Sequence, residues 1–260
     1  MCRSMVIAVT FLTRIPLKIN FTYDEKDLGR TSRYFPLVGL IIGLLVAAVA
    51  YVFGWIDLHL GAVAAILTGV ILTGGLHLDG FIDTADGIFS ARNRDKILEI
   101  MKDSRVGAHG VTAAVSIFLL KFVSYQMVLE SPEVFWIIPM AFIMSRWTMV
   151  FAILHFPGAR KQGLGQIFIE HRRRWDFPMA TFFVFIPVII FRHWLTLIPL
   201  VLTILVSWLV SRSLVKILGG LTGDTYGALA ELSETIFILL FMVTKTVYPL
   251  TENILLSIFG

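Results

Sequence analysis

Cysteine is almost absent. Cys2 is the only one in 260 residues, so no intrachain disulfide and no cysteine-based metal site can form. Charge is scarce too: 15% of the residues are Asp, Glu, Lys or Arg, against about 25% in soluble domains. No internal repeat, low-complexity tract or Ser/Pro-rich linker divides the chain, so one domain over 1–260 is expected. The opening MCRSMVIAVTFLTRIP makes a poor signal peptide, because Thr10 and Thr13 break its apolar core and no small-residue cleavage site follows. It is expected to be retained as an interfacial helix. What the chain has in quantity is apolar: 57% of it is hydrophobic, with a mean hydropathy of +0.83. That balance predicts an all-α, polytopic integral membrane helical bundle in a lipid bilayer. No nucleic-acid partner is expected, and the net charge of +4 speaks first to orientation.

A spanning helix needs about twenty mostly apolar residues. Residues 35–54, 58–76, 111–129, 134–154, 194–211 and 227–250 qualify, and 177–191, short and containing Pro187, reads as a short span or half of a re-entrant pair. The expected count is therefore six to seven, plus interfacial helices. With the N-terminus inside, the segments 1–34, 77–110, 155–176 and 212–226 hold 6, 5, 5 and 2 basic residues, which makes 18 of the 22. The short loops IDL, ESPE and RHW hold only Arg192 and three acids. This bias predicts a multi-pass inner-membrane protein whose polar loops, and whose active site, face the cytoplasm.

The longest polar stretch begins HLDGFIDTADGIFSAR, residues 77–92. On a helix advancing by about 100° per residue, Asp79, Asp83 and Asp86 fall at about 0°, 40° and −20°, which is one face. Three carboxylates side by side repel one another unless cations neutralise them. A hard divalent ion such as Mg²⁺ takes a few carboxylates plus water and substrate phosphate, so all three aspartates are candidate metal ligands. The plainer alternative is a solvated loop that pairs its acids with Arg92, Arg94 and Lys96. The following NRDKILEIMKDSRVGAHG, 93–110, reads as an amphipathic surface helix ending in a turn. There Arg105 and His109 could meet a phosphate, with His109 as a candidate general base. Asp103 and Arg92 join Arg105 as candidate substrate contacts.

A second acidic patch, GGLTGDTYGALAELSE at 219–234, puts Asp224 and Glu231 seven residues apart on one helix face. Carboxylates at a membrane edge or within a span are functional candidates by default. Asp224 and Glu231 are thus candidate catalytic groups. In the third loop, KQGLGQ offers Lys161 and Gly163 as ligand contacts, while the run Arg172–Arg174 reads as a topology signal. Lys121 and Arg146 lie inside spans, where a cation needs a partner. Arg146 is too central to reach the interface and is expected to pair with acids or touch substrate.

These stretches resemble one family. TGGLHLDGFIDTADGIFSARNRDKILEIMKDSRVGAHG (73–110) is similar to the signature region of the cobalamin synthases, the adenosylcobinamide-GDP ribazoletransferases. FLTRIP (11–16), RYFPLVGLIIG (33–43), GLGQIF (163–168) and GGLTGDTYGALAELSE (219–234) agree in order along the chain. The resemblance implies a Mg²⁺-dependent membrane transferase of cobalamin biosynthesis that completes the nucleotide loop. Its substrates would be adenosylcobinamide-GDP and α-ribazole or α-ribazole 5′-phosphate, and its products adenosylcobalamin or its 5′-phosphate and GMP. It leaves room for a homo-oligomer and for association with other nucleotide-loop assembly enzymes. Fitted to the reaction that the resemblance implies, Asp79, Asp83 and Asp86 would hold the metal, Asp224 or Glu231 a second metal or the acceptor's proton, and Arg92 and Arg105 the charge on the leaving nucleotide.

Two other readings stay open at this level. A CDP-alcohol phosphotransferase carries D-x2-D-G-x2-A-R followed by G-x3-D-x3-D. Here three residues separate Gly87 from Ala91, and Asp95, Glu99 and Asp103 lack the preceding glycine. A transporter could line a path with Lys121, Arg146, Glu231 and Glu234, but its polar residues would concentrate near the midplane rather than at one face.

Overall fold

Apolar segments in lipid must satisfy every backbone hydrogen bond internally, which leaves the helix as their solution. The computed structural model describes residues 3–17, 21–191 and 194–259, and no strand occurs among them. Twelve helices follow in order: α1 (Arg3–Leu12), α2 (Glu25–Gly29), α3 (Phe35–Gly54), α4 (Leu58–Thr73), α5 (Leu76–Phe89), α6 (Arg94–Ile100), α7 (Ala108–Leu129), α8 (Ile137–His155), α9 (Leu164–His171), α10 (Asp176–Phe191), α11 (Leu197–Leu218) and α12 (Gly223–Phe259). Five stretches are long and apolar enough to cross a bilayer unaided: Ser32–Gly54, Ala108–Leu129, Ile137–His155, Leu197–Leu218 and Gly223–Tyr248.

α8 is the axis of the bundle. It is buried along nearly its whole length, between α3 and α12. On α3, a Cβ at Gly39 would lie 2.3 Å from the Phe142 carbonyl oxygen, and one at Gly43 2.5 Å from Pro139 Cα. Close backbone approach through small residues is how helices associate where lipid removes the hydrophobic drive.

The run 58–76 does not continue as one straight helix. α4 stops at Thr73, and α5 leaves at 94° to it. Gly74 (φ +65°) and Gly75 (φ +72°) make the elbow. The Gly75 N–H donates to Val70 O at 3.0 Å and the Gly74 N–H to Ile71 O at 3.2 Å, a Schellman closure that needs a left-handed residue. If α4 crosses the membrane, a right-angled α5 runs along its face. We read α4 as the span and α5 as a lateral helix outside it.

The short, proline-containing α10 can be placed by its neighbours. Its first residue, Asp176, lies 4.0 Å from Arg33, which precedes α3, and Arg172 donates to Ile153 O near the end of α8. Arg94 bridges Ala159 O and Leu218 O, at 3.0 and 2.7 Å, which puts the end of α11 on this same face. Because α11 has 22 residues, about 33 Å at the usual rise, it must start at the opposite face. Tyr51 meets Pro132 there, and Lys245 pairs with Glu133. α10 therefore runs from one face to the other instead of folding back, which favours the seven-crossing arrangement.

Candidate active site

The two acidic motifs meet, through Asp79, Asp83 and Asp224, at the face from which α5 departs. A Cβ on Gly80 would lie 2.6 Å from Asp224 O, and one on Gly227 2.9 Å from His77 O. Two glycines, one on each helix, thus let α5 and α12 cross backbone to backbone. The crossing sets Asp79 and Asp83 of α5 beside Asp224 at the start of α12.

The three aspartates of α5 share a face but differ in depth. Asp79 is exposed, Asp83 is half-buried and Asp86 is buried. Asp86 accepts from the Gly107 N–H and the Gly110 N–H, both at 2.7 Å, so each carboxylate oxygen is engaged at the N-terminus of α7. A Cβ at either glycine would collide with that carboxylate. Asp86 therefore closes a helix end whose own flanking residue, Gly107, has no side chain to do it.

Asp79 and Asp83 have no hydrogen-bond or ion-pair partner among the described residues. Burial, then the charges of Asp79, Asp224 and Asp86, push the Asp83 carboxyl up to about 7, with Arg160 acting the other way. Two of the three cations of the solvated-loop alternative are occupied elsewhere, and the third does not reach the acids. Arg94 pairs with Asp95 and spans to Leu218 and Ala159, Lys96 pairs with Glu99, and Arg92 sits on an exposed turn beside Ala91, whose φ is +51°. The cation that does reach the acids is Arg160, whose guanidinium donates to Asp224 Oδ2 at 3.3 Å and to Leu98 O at 3.4 Å. Among the described residues no three acids or histidines close around one point. The donor set is open on its outer side.

The remaining candidates lie further out or further in. Arg105 and Asp103 bind each other in an exposed turn, which holds the Asp103 carboxyl down at about 2. The turn expected around His109 is instead the first turn of α7, where the exposed imidazole stands 6.0 Å from the Phe89 ring. Exposed Lys161 precedes Gly163, whose φ of +110° is open to glycine and strained for other residues. Glu231 is not brought to the α5 carboxylates. Two turns below Asp224 on α12, it accepts from Lys121 at 2.6 Å. The same ammonium reaches Glu234 at 2.6 Å, and Tyr125 donates to Glu234 at 3.0 Å. Arg146, 1% exposed, lines the same small cavity and donates to Ser145 Oγ at 2.7 Å. This group carries two cations and two carboxylates, so the bundle interior is charge-balanced.

Three hollows adjoin at the acidic crossing. A pocket of about 100 Å³ with largely aromatic and aliphatic walls has Asp79 and Asp224 among its lining residues. A polar cleft of about 180 Å³ runs past Arg160, Gly163, Gly165, Thr222 and Asp224. Beyond Arg160 and Gln166 it meets a basic groove of about 790 Å³ that includes Lys161 and Arg172. The loops shaping the cleft are pinned by pairing of Gly158 with Leu221, in which Leu221 N–H donates to Pro157 O at 2.8 Å and Ala159 N–H to Leu221 O at 2.9 Å. Sequence reasoning passed over Thr222, Tyr226 and His77. Their only signal was polarity within otherwise apolar or Gly-rich helix ends.

Comparison with known proteins agrees with this arrangement of motifs. The family model described as cobalamin-5-phosphate synthase matches residues 4–242. An adenosylcobinamide-GDP ribazoletransferase of Desulforamulus reducens is 39% identical over 252 residues, covering 95% of this chain and 99% of that protein. Proteins of the same name from Fusobacterium nucleatum and Desulfitobacterium hafniense are 35% and 40% identical, over 95% and 91% of this chain and 99% and 95% of theirs. No solved structure matches the chain. With the family model spanning all but the ends and the acidic crossing formed from the very motifs that carry the likeness, the chain belongs to the cobalamin-5-phosphate synthase family.

Proposed function

We propose that the protein transfers the adenosylcobinamide-phosphate group of adenosylcobinamide-GDP to α-ribazole, or to α-ribazole 5′-phosphate. The products are adenosylcobalamin, or its 5′-phosphate, and GMP, in the last assembly step of the nucleotide loop. The observation that carries this reading is a pair of carboxylates without a cation, Asp79 and Asp83, set beside Asp224 and Arg160 at one open cleft. Phosphoryl transfer needs that kind of place, because positioning and charge neutralisation do most of the work.

In the reaction a ribazole hydroxyl oxygen attacks the cobinamide-side phosphorus, the bond from that phosphorus to the bridging oxygen breaks, and GMP leaves with the bridging oxygen. The donor set fits Mg²⁺, which takes one or two carboxylates and completes its shell with water and substrate phosphate. Asp79 and Asp83 would hold that ion, which when bound neutralises the diphosphate and polarises the reacting phosphorus. Arg160 reaches over the cleft as a fixed positive charge for the diphosphate. Lys161 and Gly163 border the route the guanylate takes toward the basic groove. Of the two acids considered for the hydroxyl proton, Asp224 lines the cleft and Glu231 is held by Lys121, so we assign the proton to Asp224. Arg105 is already neutralised by Asp103, and leaving-group charge falls instead to Arg160 and Lys161. We assign the cleft to the cytoplasmic face of the inner membrane on the distribution of lysine and arginine.

The test is purified protein with adenosylcobinamide-GDP and α-ribazole, with and without Mg²⁺. GMP and the cobalamin product should appear together in its presence. Release of CMP from a CDP-alcohol donor, or substrate flux into vesicles without product, would overturn the assignment.

A further inference from the structure

Two residues that line the apolar pocket beside the acidic crossing, His77 and Tyr226, carry buried polar side chains that the bundle leaves unsatisfied. Tyr226 is 2% exposed and His77 1% exposed. Neither the Tyr226 hydroxyl nor either ring nitrogen of His77 has a hydrogen-bond partner among the described residues. Buried polar groups without partners cost stability, and their persistence asks for an explanation. Around them the wall is a trio of rings. Phe11 and Phe35 have centroids 5.4 Å from that of Phe168, and Phe35 meets it edge-on at 76°. Met149 and Ile153 of α8 add to the apolar lining.

Resting on the function proposed above, we infer that this pocket is the acceptor's base subsite. It takes a flat, largely apolar fused heteroaromatic ring with a single acceptor nitrogen, the chemistry of a benzimidazole riboside. The Tyr226 hydroxyl or a His77 N–H donates to that nitrogen. Guanine fits this wall badly. Its edge carries several donors and acceptors, and beneath the rim carboxylates of Asp79 and Asp224 the pocket offers only two polar tips, so most of them would stay buried and unpaired. The neighbouring hollows give the order of the rest. The pocket shares Leu164, Gly165, Gly223 and Asp224 with the polar cleft, which in turn shares Arg160 and Gln166 with the basic groove. A base held in the pocket therefore puts its ribose at the rim where Asp79 and Asp224 stand. The diphosphate then lies by Arg160, and the guanylate extends toward Lys161 and Arg172.

The test compares wild-type protein with Tyr226→Phe and His77→Asn, in detergent and again in lipid nanodiscs. Two quantities are read: the dissociation constant of α-ribazole alone, by titration calorimetry, and the KM of each substrate. Tyr226→Phe should weaken α-ribazole about five- to tenfold, as the loss of one buried hydrogen bond does, and leave the KM of adenosylcobinamide-GDP unchanged. A purine riboside should bind wild-type protein at least about tenfold more weakly than α-ribazole, since its extra polar edge groups stay unpaired. The inference is overturned if the variants raise the KM of adenosylcobinamide-GDP instead. It is equally overturned if neither variant, both folded by thermal melt, shifts α-ribazole binding. Wild-type protein that binds α-ribazole in the stated way but forms no GMP would sink the proposed reaction while leaving the subsite standing.

Discussion

Asp83 and Asp86 are three residues apart on one helix, yet opposite consequences follow from removing each charge. Asp86 is satisfied by two N–H groups of the α7 terminus, and Asp86→Ala leaves the part-buried Gly107 N–H and the buried Gly110 N–H without their acceptor. A loss of about 1–3 kcal/mol is expected, visible as a lowered melting temperature. Asp83 has only like charges and Arg160 for company. Asp83→Asn relieves repulsion, so its melting temperature should equal or exceed that of wild type, while turnover falls by about a hundredfold or more even at saturating Mg²⁺. Near-normal turnover across the titration would remove Asp83 from the metal's ligands. A pH effect has the same origin. The carboxyl is held up to about 7, so protons would compete with the proposed Mg²⁺ below that value. The Mg²⁺ concentration for half-maximal activity should rise as pH falls from 8 to 6, and a flat dependence would contradict the assignment.

At the level of elements, the crossing of α5 on α12 is the feature that fixes the site. Gly80 is its contact point, with 2.6 Å to Asp224 O from an added Cβ. Backbone cannot yield as a side-chain tip does, so Gly80→Ala must push the helices apart. The expected cost is about 1–3 kcal/mol of stability and, because Asp79 and Asp83 move relative to Asp224, about a tenfold or greater loss of kcat. A variant as active and as stable as wild type would show that the spacing does not matter. Much of this arrangement could be read from the chain beforehand. Apolar runs announced α3, α7, α8, α11 and α12, and the i, i+4, i+7 spacing put three aspartates on one face. The ends of elements were less legible. α7 begins at Ala108 because a carboxylate 21 residues before Gly107 caps it, and no local pattern reports a tertiary cap. Helical periodicity likewise gives direction but not depth, so it could not separate Asp86, buried under α7, from Asp79 at the rim. Glu231 shared a face with Asp224 by spacing, but Lys121 on another helix decides where its charge is spent.

For the molecule as a whole, five helices are long and apolar enough to cross on their own, and the short α10 is the segment whose crossing sets the parity of those that follow it. With Cys2 replaced by serine, single cysteines should settle the topology. Trp175→Cys and Lys161→Cys should resist a membrane-impermeant maleimide added to intact cells, whereas Ile56→Cys and Leu195→Cys should react. Trp175 and Leu195 flank α10, so equal labelling of the two would mean that it does not cross. The site, by contrast, is formed by chain segments far apart in sequence: α5, the loop after α8 and the start of α12. Its assembly therefore depends on the bundle closing, which is why composition revealed the membrane class readily and the cleft hardly at all.

α4 has 16 residues before its glycine elbow, about 24 Å of helix, against a hydrocarbon core of about 30 Å. If α4 alone crosses, a bilayer would thin around it, and the elbow would turn any vertical pull on α4 into a lever on the helix that carries Asp79 and Asp83. Acyl-chain length thus becomes a control on catalysis: in vesicles of one head group, turnover should peak with short chains and fall as the chains lengthen.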